Sequence, residues 1–259
     1  MAMVSAHEYG ARLGSAGGRL SQQFTDGLTL GADFVEFDVR RTADGVFVVR
    51  HDREIVVGGE QRRIDTVTLD ELHADGQDVL TYTDALAALR GRASAHIDLK
   101  LSAPARTYDG PDEQTWEVQA TALAVAALGA EHIVVTTGKD RAVAALVRWS
   151  ATACPQLLVG LSLGGSRSGW SLRRQVAGRW SELFPARRVA ATGANVLAAN
   201  RWLARFGVAR WAHRHELRLL VWTVDDKRGL RRWLRDPRCW LVTTNNVRAA
   251  VRLRDGYRD

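Results

Sequence analysis

Short apolar runs alternate along the chain with longer stretches whose apolar residues recur every third or fourth position. The short runs fall at 3–6, 34–39, 95–99, 133–136, 157–161, 195–198, 219–223 and 241–244, and they are rich in Val, Ile and Leu. Runs of this kind predict strands buried on both faces, as in parallel sheets. The longer stretches predict helices over 115–129, 140–153, 202–215 and 227–234, with Asp140 as an N-cap and Gly129 and Gly207 near helix ends. Strand and helix in alternation predict a parallel α/β sheet, and eight strands favour a closed (β/α)8 TIM barrel over a doubly wound sheet. No GxGxxG follows the first strand, which argues against a dinucleotide fold. With no internal repeat and no interdomain linker, residues 1–259 read as a single barrel domain. Residues 53–78 and 102–112 are long polar segments. Gly164-Gly165 with Ser162, Ser166 and Ser168 reads as a mobile loop after the fifth strand.

Catalytic groups in such a barrel sit at the C-terminal ends of the strands, and polar residues collect there in this chain. The first run ends in His7-Glu8, the second holds Glu36 and Asp38, the third Asp98 and Lys100, and the seventh Trp222 and Thr223 followed by Asp225. Residues two apart in a strand share a face. Glu36 and Asp38 therefore point one way while Val35, Phe37 and Val39 point the other; Asp98 and Lys100 repeat the arrangement. If both strands turn these faces inward, three carboxylates converge beside one ammonium. Carboxylates crowded out of water repel one another and lose hydration. A divalent cation relieves both costs, and hard oxygen ligands suit Mg²⁺ or Ca²⁺. The competing reading is a polar edge facing solvent, and two such pairs on consecutive strands weigh against it.

Asp44-Gly45 followed by 46–49 and His51-Asp52 reads as a turn, a short strand and a polar tip that returns toward the second strand. His7 lies at the end of the first strand, and two histidines can serve as general acid and general base near neutral pH. His73, His96, His132, His213 and His215 have no comparable context.

These residues resemble the glycerophosphodiester phosphodiesterases. The block from Gly31-Ala32-Asp33 through Glu36, Asp38, Thr42 and Asp44-Gly45 to His51-Asp52 carries most of the likeness; Ile97-Asp98-Leu99-Lys100, Val221-Trp222-Thr223-Val224 and Val242-Thr243-Thr244-Asn245 extend it over nearly the whole chain. The resemblance implies His7 and His51 as acid and base, Glu36, Asp38 and Asp98 as metal ligands, and Lys100 and Trp222 as substrate-binding residues. Three positions depart from the family pattern. Glu8 stands where an Arg commonly follows the first histidine, 19–24 lacks the common Glu-Asn-Thr segment, and Asp98 replaces a usual Glu. An Asp-Leu-Lys triplet and a non-Arg residue after the first histidine also occur in the related sphingomyelinase D-like phospholipases. The expected reaction is metal-dependent cleavage of a small-molecule or lipid-derived phosphodiester, with a cyclic phosphate as one route. Glu8 is expected to join the metal site or to select a cationic head group. The alternatives are a sphingomyelinase D-like phospholipase and a catalytically weak barrel that binds a phosphorylated ligand.

A hydrophobic fraction of 46% over 259 residues supplies a large core, and 25% charged residues is ordinary for a globular protein. The net charge of +7 favours anionic partners. The arginines at 228, 231, 232, 235 and 238 read as a solvated face, and with no nucleic-acid-binding motif beside them no nucleic-acid partner is expected. Cys154 and Cys239 fit neither a zinc nor a redox spacing and read as two buried thiols, with one disulfide as the alternative. Among nine tryptophans, Trp149, Trp180, Trp202, Trp211 and Trp233 fall in predicted helices and read as packing residues, with peripheral membrane contact or a dimer patch as the alternative. The absence of a signal-like N-terminus and of a long apolar span gives a cytoplasmic expectation.

Overall fold

The computed structural model describes residues 1–7, 30–101, 103–165 and 172–256. Eight parallel strands close into a barrel: β1 Met3–Ala6, β2 Phe34–Arg41, β6 Ser94–Leu99, β7 Ile133–Thr137, β8 Leu158–Leu163, β9 Val196–Asn200, β10 Arg218–Trp222 and β11 Leu241–Thr244. Closure comes from β1, which pairs with β11 on one side and β2 on the other. The (β/α)8 expectation is met, with strand ends displaced by one or two residues. Between β2 and β6 run β3 Phe47–Val49, antiparallel to the end of β2, and a small hairpin of β4 Glu54–Val57 and β5 Glu60–Arg63. The polar segment 53–78 thus has structure of its own.

The helices in chain order are α1 Leu69–Ala74, α2 Tyr82–Leu89, α3 Trp116–Leu128, α4 Asp140–Ala153, α5 Leu172–Leu183, α6 Ala186–Thr192, α7 Arg201–Leu203, α8 Ala209–Arg214, α9 Lys227–Arg235 and α10 Val247–Asp255. None of the described helices is long and apolar enough to cross a membrane. Two expectations are corrected. The helix predicted over 202–215 is broken by a π turn, Ala204–Val208, where Phe206 (φ −87°, ψ 19°) and Gly207 (φ 135°) leave helical geometry. Asp140 is the first residue of α4 rather than its cap; Lys139 holds the cap position, and Asp140 pairs with Arg188. Gly129 does end α3, in a positive-φ conformation.

Outward strand residues such as Val35, Phe37, Ile97, Leu99, Val135 and Leu161 pack under the helices and form the main core. Inside the barrel the composition changes with height. The lower layer is apolar, with Phe34, Val134, Val196, Leu220 and Leu241 in contact. Two residues further along the same strands come Glu36, Thr136 and Thr243, and this upper layer is polar and buried. Gly160 on β8 keeps the interior open, because a Cβ there would lie 2.8 Å from Thr136 Cγ2. Cys154 and Cys239 are buried free thiols, as the two-thiol reading expects. Of the tryptophans read as packing residues, Trp233 is buried and Trp149 and Trp211 pack against the core, whereas Trp180 and Trp202 are exposed.

Candidate active site

The parallel register of β2 and β6 sets Glu36 opposite His96 and Asp38 opposite Asp98. One oxygen from each of Glu36, Asp38 and Asp98 lies within 4.8 Å of the others. Lys100 reaches the cluster, with Nζ 2.6 Å from Asp98 and 3.5 Å from Asp38. Burial by itself pushes the Asp98 carboxyl up, but the Lys100 ammonium and the hydrogen bond from Thr136 Oγ1 (3.1 Å) outweigh it and hold the group below the usual carboxylate range. Asp98 in turn raises Lys100, against burial and with help from Asp38 and Glu36. Lys100 stands at the edge of the cluster, and the all-oxygen donor set and the close spacing of Glu36, Asp38 and Asp98 fit a divalent cation.

His96 belongs to this site although it lacks a motif context in the sequence. It is buried in the same cavity, 3.5 Å from Ser5 Oγ through Nδ1 and 3.2 Å from Thr136 Oγ1 through Nε2. Burial drives it down to about 4, so it is neutral at physiological pH. A neutral ring costs less to bury than an imidazolium beside Lys100. Alternation puts 96, 98 and 100 on one strand face, but that this face meets Ser5 and Thr136 is set by the register of the neighbouring strands.

His7 sits just past β1. Its Nδ1 lies 3.1 Å from Asn245 Oδ1, while Asn245 Nδ2 donates to Asp225 Oδ2 and Asn245 N to Asp225 Oδ1, both at 2.8 Å. The Asp225 contact fixes the amide so that its oxygen faces the imidazole, which makes Nδ1 the protonated nitrogen. In the neutral ring Nε2 then carries the lone pair, 3.5 Å from Thr223 Oγ1 and 4.0 Å from Glu36. His51 reaches the same cavity by a different route. After the turn at Gly45, β3 runs back along β2, and Arg50 N donates to Asp38 O at 3.0 Å. His51 Nδ1 then meets Asp52 at 2.9 Å.

The cavity these residues line has a volume of about 230 Å³. Trp222 and Thr243 line it as well; Trp222 Nε1 and Thr243 Oγ1 are buried without a hydrogen-bond partner among the described residues. Ser162, expected in a loop, lies within β8 and lines the cavity; Ser166 and Ser168 fall outside the described residues. Glu8 and 19–24 also fall outside them.

A closed (β/α)8 barrel with acids, histidines and a lysine converging at the C-terminal strand ends defines a barrel enzyme whose site suits phosphoester chemistry. Residues 21–249 match the model of the glycerophosphoryl diester phosphodiesterase family, and the chain belongs to that family and is a phosphoric diester hydrolase. Solved structures agree on the fold. A glycerophosphodiester phosphodiesterase from Parabacteroides distasonis superposes with a TM-score of 0.73 at 19% identity, covering 100% of this chain and 98% of that one. A phosphodiesterase from Oleispira antarctica, in complex with the product sn-glycerol-3-phosphate, gives 0.69 at 15%, over 98% and 96% of the two chains. The glycerophosphodiester phosphodiesterase of Thermotoga maritima gives 0.66 at 18%, over 98% and 99%. No curated protein matches the chain at the sequence level.

Proposed function

We propose that the chain hydrolyses glycerophosphodiesters, or the head-group diester of a lysophospholipid, with a divalent cation held by Glu36, Asp38 and Asp98 and with His7 and His51 as the acid–base pair. The observation that carries this reading is the convergence of both histidines and the three-carboxylate cluster on one cavity. The bound cation would neutralise phosphate charge and orient its oxygens.

Lys100, with its Nζ at the cluster edge, supplies a further positive contact for a phosphate oxygen. Trp222 Nε1 and Thr243 Oγ1 are buried polar atoms that gain partners when a substrate enters. His7 is the base: its Nε2 lone pair takes the proton from the attacking hydroxyl, whether water or a neighbouring hydroxyl of the substrate. The P–O bond to the leaving alcohol breaks as the new one forms. His51, half-exposed at the cavity mouth, gives its Nε2 proton to the departing oxygen. Attack by the substrate's own hydroxyl leaves a cyclic phosphate; attack by water leaves the monoester.

The test is turnover of glycerophosphocholine, glycerophosphoethanolamine and lysophosphatidylcholine with Mg²⁺, Ca²⁺ or EDTA, beside His7→Ala and His51→Ala. Turnover that needs the metal and falls by at least about 100-fold in each variant supports the reading. Metal-independent turnover, or full activity in either variant, overturns it. Folded protein with no turnover on any substrate leaves the phosphate-binding barrel as the better description.

A further inference from the structure

Four large apolar side chains stand in solvent on the rim of the barrel's C-terminal face. Trp180 is 60% exposed, Phe184 63%, Trp202 53% and Phe206 71%. Trp180 and Phe184 stack on one another, centroids 5.3 Å apart and planes 13° from parallel. Trp180 lies in α5 and Phe184 just past its end, and α5 is tied to the strand ends: the buried Glu182 carboxylate accepts from Gly164 N at 2.9 Å, one residue past β8. Trp202 lies two residues past β9, and its N–H donates to Asn200 Oδ1 at 3.0 Å. Phe206 occupies the kink in the following π turn, and α5 packs against that turn. The two aromatic pairs therefore belong to one stretch of rim, at the ends of β8 and β9, whose Ser162 and Ala198 line the catalytic cavity.

Arginines accompany these aromatics: Arg179 pairs with Glu182, Arg188 with Asp140 and Arg201 with Asp226. Arg187 and Arg205 are exposed beside Phe184 and Phe206, and the Arg201 guanidinium lies 5.1 Å from the Trp202 ring centre. Aromatic rings seat well at the boundary between lipid head groups and acyl chains, and guanidiniums extend from there to lipid phosphates. The same charge disfavours self-association, because a twofold contact would set this arginine-rich face against itself.

We propose that the rim formed by Trp180, Phe184, Trp202 and Phe206 docks on an anionic lipid surface and brings the cavity mouth toward it. This inference goes beyond the catalytic assignment and stands independently of it.

The test is co-sedimentation of the full chain with phosphatidylcholine vesicles and with phosphatidylcholine–phosphatidylserine vesicles, alongside sedimentation velocity without lipid. The variants are Trp180→Ala/Phe184→Ala, Trp202→Ala/Phe206→Ala and Arg187→Gln/Arg205→Gln, each checked for an unchanged circular dichroism spectrum. The expected result is a monomer that binds the phosphatidylserine vesicles, releases in high salt, and binds at least about ten-fold more weakly in every variant. Absence of binding to either vesicle, wild-type binding by the aromatic variants, or a wild-type dimer that Trp180→Ala/Phe184→Ala dissociates would each overturn the proposal, the last by assigning the patch to a second copy of the chain.

Discussion

The guanidinium of Arg40 donates twice to the carbonyl oxygen of His51, from Nε at 2.9 Å and from Nη2 at 2.6 Å, and once from Nη1 to the carbonyl oxygen of Lys100 at 3.3 Å. One side chain at the end of β2 thus joins the segment bearing the proposed acid to the strand that carries Asp98 and Lys100. Charge-assisted, two-pronged hydrogen bonds are the strong kind. With His51 as the acid, Arg40→Gln is expected to lower kcat by about 10- to 100-fold, the loss of one or two such bonds, while changing KM much less. Arg40→Lys should recover part of the rate. Steady-state kinetics on glycerophosphocholine decide it; an equal rise in KM with unchanged kcat would show that Arg40 serves substrate binding instead.

A cation that binds Glu36, Asp38 and Asp98 in the folded chain draws the equilibrium toward that state, so metal should act on stability as well as on activity. A ligand at one hundred times its Kd stabilises by about 2.7 kcal/mol, or about 5–10 °C in Tm for a chain of this size. Mg²⁺ or Ca²⁺ is expected to raise the melting temperature of the wild type by that order. Asp38→Asn/Asp98→Asn should melt at the same temperature with and without metal. Differential scanning calorimetry in EDTA and in each cation measures both.

Trp222 lines the cavity and has an indole N–H with no partner among the described residues. Trp222→Phe keeps most of the ring and removes the donor. KM for a glycerophosphodiester is expected to rise about 3- to 10-fold, the worth of one ordinary hydrogen bond, with kcat little changed. A kcat loss as large as that of His7→Ala would place the donor on the transition state instead.

Glu117 gives a prediction in pH. It is buried, accepts a hydrogen bond from Tyr108 at 2.7 Å, and has Lys139 3.9 Å away; burial pushes its carboxyl up despite both neighbours. The folded state therefore holds this proton to higher pH than the unfolded chain does. Its contribution is fully present below the unfolded value of about 4.3 and is lost as pH rises through the raised folded value. Glu117→Gln keeps the acceptor for Tyr108 and removes the titration. The stability difference between wild type and Glu117→Gln should shift in favour of the variant from pH 4 to pH 7, by urea unfolding. A constant difference across that range would mean the carboxyl is not perturbed.

Much of this architecture is legible in the sequence because its signals are local. Short β-branched runs mark the eight strands, and two-residue alternation puts Glu36 with Asp38 and Asp98 with Lys100 on shared faces. What escapes is set by register. His96 gains its place from Ser5 and Thr136, 91 and 40 residues away, and the Asp225–Asn245 brace behind His7 exists only once β10 and β11 are side by side. Helical periodicity continues on both sides of Phe206-Gly207, so it hides the break between them. Periodicity is equally silent on which faces of α5 and α7 lack a neighbour, and the exposure of Trp180 and Trp202 follows from that.

The anchor of His7 has a temporal side. His7 and the residue that orients it, Asn245, are 238 positions apart and meet because β1 pairs with β11. In folding, this contact forms only when the first and last strands of the barrel pair. Until then the ring is open, and the proposed base has neither its fixed tautomer nor its orientation. The orientation of the proposed base is therefore a property of the closed barrel and not of its own strand.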